Sequence, residues 1–320
     1  MTGRASDATA ARGNRSPPLI WSATPTPFLD DGSLDERSIE RMVDQHRAHG
    51  ISGIFLAGSC GEGRFMAPAQ VAELIRTVRR LCGDSMCLTV QAADRAVSRV
   101  RDNARRFHEA GADAVLMALP GHAGWDGPEA VRRYFLEALD GISIPAGLYL
   151  LPCAEIPGID DGGWDELAAH PQVTIIKDST RSDRAMRRFG AVRRTREDLK
   201  LLSGDEFDVV KFFDHGYDGA LLGTGILIGG MIRRVLDAHA CGDDRTARAW
   251  QARSNALLRD LFREDLSQWP SGLKYILVRM GVFSSEFSHM RRPMTDDDRR
   301  RIDAALSRER EVIAAAVSHP

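Results

Sequence analysis

Val173-Thr174-Ile175-Ile176-Lys177-Asp178-Ser179-Thr180 is the stretch from which the rest of the chain can be ordered. Its first four residues are apolar or β-branched, the composition of a short buried strand. Lys177 closes that strand. A buried ammonium is costly, so a lysine here has two readings. Either it snorkels from the strand end into solvent, or its surroundings depress its pKa and leave a neutral amine, as Schiff-base chemistry needs. The stretch alone does not choose between them.

Working outward, short apolar runs alternate with amphipathic stretches. Strands are expected at Leu19–Ala23, Ile51–Ala57, Met86–Gln91, Ala114–Ala118, Pro145–Leu151, Val173–Lys177, Leu199–Ser203 and Gly219–Leu222. Helices are expected at Leu34–His49, Pro68–Leu81, Val97–Glu109, Pro128–Leu139, Trp164–Ala169, Arg184–Arg194, Glu206–Phe213 and from Met231 to Ala240. Gly50 suits a left-handed cap and Pro68 a first helical position. Eight such alternations imply a parallel sheet with right-handed crossovers, and their length fits a closed (β/α)8 TIM barrel. An open doubly wound sheet is the alternative, but no GxGxxG follows the first strand.

The expected organisation is therefore α/β: a polar, disordered tail over 1–16, a barrel over 17–240, and a helical extension over 241–320 packed on the barrel. Added helices are expected near Asp243–Arg263, Ser271–Met280 and Thr295–Ala315.

The composition narrows the partners. With 43 Lys plus Arg against 45 Asp plus Glu, a net charge of -2 gives no electrostatic reason to expect nucleic acid. No apolar run approaches a membrane span. The five cysteines are scattered, without CxxC, and the histidines form no HExxH, so no metal site is expected and reduced thiols fit a cytoplasmic setting. The first sixteen residues lack the apolar core of a secretion signal.

In a barrel, the chemistry gathers at the carboxyl ends of the strands. There the chain delivers Thr24, the turn Gly58-Ser59-Cys60-Gly61-Glu62-Gly63, His122, Tyr149, Lys177 with Ser179, Ser203-Gly204-Asp205-Glu206, and Leu221-Leu222. An amine can attack a ketone and form an iminium that acts as electron sink. A phenol can shuttle the proton, and amides of the glycine-rich turn can hold a carboxylate. Each piece has a plainer reading. These readings are Tyr149 as core, the turn as only a turn, Glu62 as a partner for a helix dipole, and Asp205 as a helix cap.

Taken together, GSCGE at Gly58–Glu62, Tyr149-Leu150-Leu151-Pro152, IIKDS at Ile175–Ser179 and the opening TPTPFLDDGSLD resemble the dihydrodipicolinate synthase/N-acetylneuraminate lyase family. The resemblance implies a Schiff-base reaction of a pyruvate-type 2-oxo acid, no cofactor, and a homotetramer or dimer. It casts Lys177 as the Schiff-base lysine and Tyr149 as the proton relay. Ser59, with the amide of Cys60, becomes the carboxylate holder, although Cys60 stands where the synthases carry a relaying threonine. It departs from the synthases at Ala154, in place of an arginine that grips the second substrate, and at Gly121-His122, in place of paired tyrosines. Asp205, Glu206 and Ser179 resemble positions that meet sugar hydroxyls in the lyases. The expected activity is cleavage or dehydration of a 2-keto-3-deoxy sugar acid or related hydroxy-oxo acid. Synthase-type condensation and a non-catalytic 2-oxo acid sensor are the alternatives.

Overall fold

The computed structural model describes residues 17–119, 127–151, 159, 161–290 and 293–315. Eight strands close into a barrel in chain order: β1 (Leu19–Ala23), β2 (Gly53–Leu56), β3 (Cys87–Gln91), β4 (Ala114–Ala118), β5 (Ala146–Leu150), β6 (Val173–Asp178), β7 (Lys200–Ser203) and β8 (Gly219–Leu222). Every pairing is parallel, and β8 returns to β1 in the register Leu19↔Gly219.

A helix follows each strand: α1 (Glu36–Ala48), α2 (Pro68–Cys82), α3 (Val97–Glu109), α4 (Pro128–Asp140), α5 (Asp161–Ala169), α6 (Asp183–Thr195), α7 (Val209–Asp214) and α8 (Gly225–Ala240). The expected (β/α)8 barrel is the observed one. The apolar residues divide between two cores, as the geometry of a barrel requires. Trp21, Phe55, Leu116, Tyr149, Ile175, Leu202 and Leu221 fill its interior. Residues such as Ile20, Ile54, Leu88, Val115 and Ile176 point outward onto the helices.

Among the boundaries that differ from expectation, two helix starts have a clear physical cause. α8 starts at Gly225, not Met231. Gly225, Gly229 and Gly230 each lower helix propensity by about 1 kcal/mol, which hides the first turns in the sequence. Packing reverses the preference: a Cβ on Gly229 would lie 2.6 Å from Ile51 Cδ1, and one on Gly225 2.9 Å from Ser22 Cβ. α7 starts at Val209, not Glu206, because Asp208 is its N-cap and accepts from Lys211 N at 3.4 Å.

Three further helices, α9 (Asp244–Phe262), α10 (Trp269–Arg279) and α11 (Asp296–Ala315), pack against the barrel and one another. One buried tie fastens this extension to the barrel mouth. Lys274 Nζ on α10 lies 2.6 Å from Glu62 Oε1 in the loop after β2. Both residues are almost fully buried. Glu62 Oε2 accepts from His289 N at 2.7 Å and Ser288 Oγ at 3.0 Å, and Lys274 also donates to Phe287 O at 2.6 Å. Glu62 is therefore a strut, not a helix-dipole partner.

Candidate active site

Register sets the centre of the site. Tyr149 on β5 pairs directly with Lys177 on β6. Lys177 is 4% exposed, with Nζ 4.2 Å from the Tyr149 ring centroid and 5.2 Å from that of Phe55. The two rings meet edge to face, 5.8 Å apart. The amine thus rests on aromatic faces and forms no ion pair among the described residues. The lysine does not snorkel into solvent.

The strand ends around it are braced. Asp178, fully buried, accepts from Tyr217 Oη at 2.6 Å through Oδ2, and from Thr180 N and Oγ1 at 2.8 and 2.6 Å through Oδ1. Burial, then the neighbouring carboxylate, pushes the Tyr217 phenol well above its ordinary range, so it stays a donor. Gly204 N donates to Asp178 O at 2.7 Å. A Cβ on Gly204 would fall 1.9 Å from Ser179 Oγ and 3.2 Å from Lys177 Cε, so the approach of β7 to β6 depends on glycine.

A cavity of about 360 Å³ opens above Lys177. Ser59, Cys60, Tyr149, Lys177, Ser179, Gly204 and Glu206 line it, as the sequence reading expects. Three expected residues do not. Leu221 belongs to the barrel interior, since its place as third residue of β8 turns it inward among Trp21 and Leu202, while Ala220 and Leu222 turn outward. Gly61 is folded against the backbone of Ala57 and Thr24, and its carbonyl accepts from Thr26 Oγ1 at 2.7 Å. Asp205 accepts from Phe207 N at 3.0 Å and pairs with Arg181 Nε at 3.3 Å. It braces the loop and neither faces the cavity nor caps α7. His122 and Ala154 lie outside the described residues.

Two lining groups have shifted acidities. Burial pushes the Cys60 thiol up to about 12, and Sγ donates to Gly223 O at 3.5 Å. It is therefore a thiol, not a thiolate nucleophile. Glu206 faces the cavity but is enclosed by protein, and that desolvation raises its pKa against the opposing charge of Lys177. Its Oε1 accepts from Gly223 N at 2.8 Å and Thr224 N at 3.3 Å, fastening the loop after β7 to that after β8.

The rest of the lining escapes sequence reasoning: Arg181, Phe207 and, from the extension, Leu258, Phe262, Leu266 and Trp269. No motif marks them. One structural sign marks two of them, Arg181 and Leu266. The non-glycine residues with positive φ among the described residues are Ala57, Glu62, Arg181, Arg263 and Leu266. A side chain in this region costs roughly 1–2 kcal/mol, and such strain gathers at functional sites. All five belong to the loops after β2 and β6 or to the α9–α10 connection, and two of them, Arg181 and Leu266, line the cavity.

Fold and cavity together define a (β/α)8 protein with a buried lysine at the strand ends, the frame of a Schiff-base lyase. The comparisons make the assignment specific. Residues 18–308 match the profile of the dihydrodipicolinate synthetase family, and the chain belongs to that family. It is similar to the 4-hydroxy-tetrahydrodipicolinate synthase of Chlorobaculum parvum, 26% identical over 283 residues, covering 88% of this chain and 93% of that one. That of Anaplasma marginale is 28% identical over 262 residues, covering 82% and 85%. Among solved structures, the dihydrodipicolinate synthase of Bacteroides thetaiotaomicron superposes with a TM-score of 0.83 at 21% identity, covering 92% of this chain and 99% of that one. A prophage protein of E. coli K12 of the same family, in complex with pyruvate, gives 0.81 at 20% identity, covering 92% and 98%.

Proposed function

We propose that the protein is a class I lyase that cleaves or dehydrates a hydroxylated 2-oxo acid through an iminium on Lys177. The observation that carries this reading is the Lys177 amine, desolvated beside Tyr149 on the floor of a cavity that Ser59 and the Cys60 turn also line. Ser59 Oγ and the Cys60 amide hold the substrate carboxylate. Lys177 Nζ adds to C2, and the carbinolamine loses water to give the iminium. In cleavage, the C3–C4 bond breaks with its electron pair entering the iminium, which becomes an enamine. The C4 hydroxyl proton leaves through the Tyr149 phenol, which accepts it while handing its own proton on. C3 then takes a proton and water hydrolyses the iminium, releasing the 2-oxo acid product and free lysine. Dehydration starts from the same iminium, with loss of a C3 proton and then of the C4 hydroxyl as water.

A second reading, condensation of pyruvate with an aldehyde, is favoured by the synthase names of the relatives. It uses the same iminium in the opposite direction. The experiment for both is borohydride reduction in the presence of pyruvate, followed by mass spectrometry of the peptide carrying Lys177. A stable pyruvyl adduct on Lys177 is expected. Its absence, or turnover by Lys177→Ala, overturns the lyase reading.

A further inference from the structure

The cavity has two unlike sides. Barrel strand ends supply Ser59, Cys60, Tyr149, Lys177 and Ser179, a wall of hydroxyl, thiol, phenol and amine. The loop after β7 and the extension supply the partly exposed apolar side chains Phe207, Leu266 and Trp269, with the buried Leu258 and Phe262 also in the lining.

The polar groups nearest this second side are partly engaged within the protein. Glu206 Oε1 holds Gly223 N, Thr224 N and Thr224 Oγ1 at 2.8, 3.3 and 3.4 Å. Asp205 is turned onto Phe207 N and Arg181 Nε. Arg181 in turn lays its guanidinium 5.5 Å from the centroid of the Phe207 ring. An alcohol group placed against the apolar side chains of this wall would give up its water without regaining a hydrogen bond from them.

Leu266 is the most telling member. It holds φ +55, an unfavourable conformation for leucine, and its side chain lines the cavity, partly exposed to it. A loop free to choose would place Gly or Asn there.

We infer that the substrate fragment beyond C4 is an apolar body, an aryl or branched alkyl group, seated between Phe207, Leu266 and Trp269. This rests on the lyase reading for the chemistry at C2, but the distal wall can be tested without it. The cleaved aldehyde is then an aromatic or branched aliphatic aldehyde. The reaction is a retro-aldol: C3–C4 breaks, its electron pair passes to the Lys177 iminium, and the C4 hydroxyl becomes the aldehyde carbonyl as its proton leaves.

The first test is calorimetric binding of 2-oxo-4-phenylbutanoate, which lacks the C4 hydroxyl and cannot be cleaved, against 2-oxobutanoate. At least tenfold tighter binding of the phenyl compound is expected. Leu266→Asn suits the backbone conformation and makes the wall polar; it should narrow that gap at least threefold while the protein stays folded. Equal or weaker binding of the phenyl compound, or a gap that Leu266→Asn leaves unmoved, overturns the inference even if pyruvate is trapped on Lys177. Tight phenyl binding without a pyruvate adduct supports the wall and sinks the lyase reading. The second test is cleavage of 4-hydroxy-2-oxo-4-phenylbutanoate against a 2-keto-3-deoxyhexonate. A kcat/KM at least tenfold higher for the phenyl acid is expected, and a preference for the sugar acid overturns the inference.

Discussion

Tyr149 and Lys177 are register partners on adjacent parallel strands, and the lysine amine sits 4.2 Å from the centre of the tyrosine ring. The ring face and the hydroxyl can therefore be separated by mutation. Tyr149→Phe keeps the face on which the amine rests and the edge contact with Phe55. Turnover is expected to fall by about 10²–10⁴-fold, the usual reach of general acid–base catalysis, with little change in melting temperature. A lowered melting point with unchanged turnover would assign Tyr149 to packing alone.

Gly204→Ala tests how tightly the floor is assembled. The new methyl would lie 1.9 Å from Ser179 Oγ and 3.2 Å from Lys177 Cε. Overpacking of this kind costs about 1–3 kcal/mol, so the variant should fold. Its rate of borohydride-trapped adduct formation should drop by at least about tenfold, since small misplacements of reacting groups are costly. An unchanged trapping rate would mean that Lys177 does not depend on this contact.

The buried pair Glu62–Lys274 joins the loop carrying Ser59 and Cys60 to α10. Lys274→Met strands a buried carboxylate, a loss of about 3–5 kcal/mol expected for breaking such a pair. Urea titration should show it. Adding Glu62→Gln to that variant should restore part of the loss, because the remaining buried charge is removed while Ser288 and His289 keep an acceptor.

Acid should loosen α1. Burial lowers His46 to about 3 and His49 to about 4. Both pKa values lie below that of the unfolded chain, about 6.5. The folded state therefore binds fewer protons than the unfolded one, and stability declines as pH falls below about 6.5 until the folded values are reached. Each histidine contributes up to about 1.4 kcal/mol per pH unit. The urea midpoint at pH 5 should be clearly below that at pH 7. His49→Asn, whose amide oxygen can still accept from Gly230 N in place of Nδ1, should remove roughly half of that difference. A midpoint independent of pH would contradict the burial of these rings.

The barrel was legible because its signals are local. Alternation of apolar runs with capped, amphipathic helices is written at the scale of one element, and eight repeats leave little choice of architecture. Lys177, Tyr149, Ser59 and Glu206 could be placed on the cavity because strand ends can be counted. Leu221 and Gly61 could not, since a shift of one residue along a strand or turn exchanges interior for rim. Asp205 lies off the cavity lining for a different reason. Its partners, Phe207 N and Arg181, are set by a loop conformation that no spacing encodes. Trp269 and Leu266 reach the site from a helix pair far along the chain, and only tertiary packing brings them there.

The wall from the extension meets the catalytic strand ends across the cavity without sharing a strand with them. If the wall selects the substrate as inferred, bond-making and substrate choice have separate addresses in the gene. On that reading residues 258–269 are free to drift and admit new substrates, while the lysine, the tyrosine and their β-sheet register stay as they are.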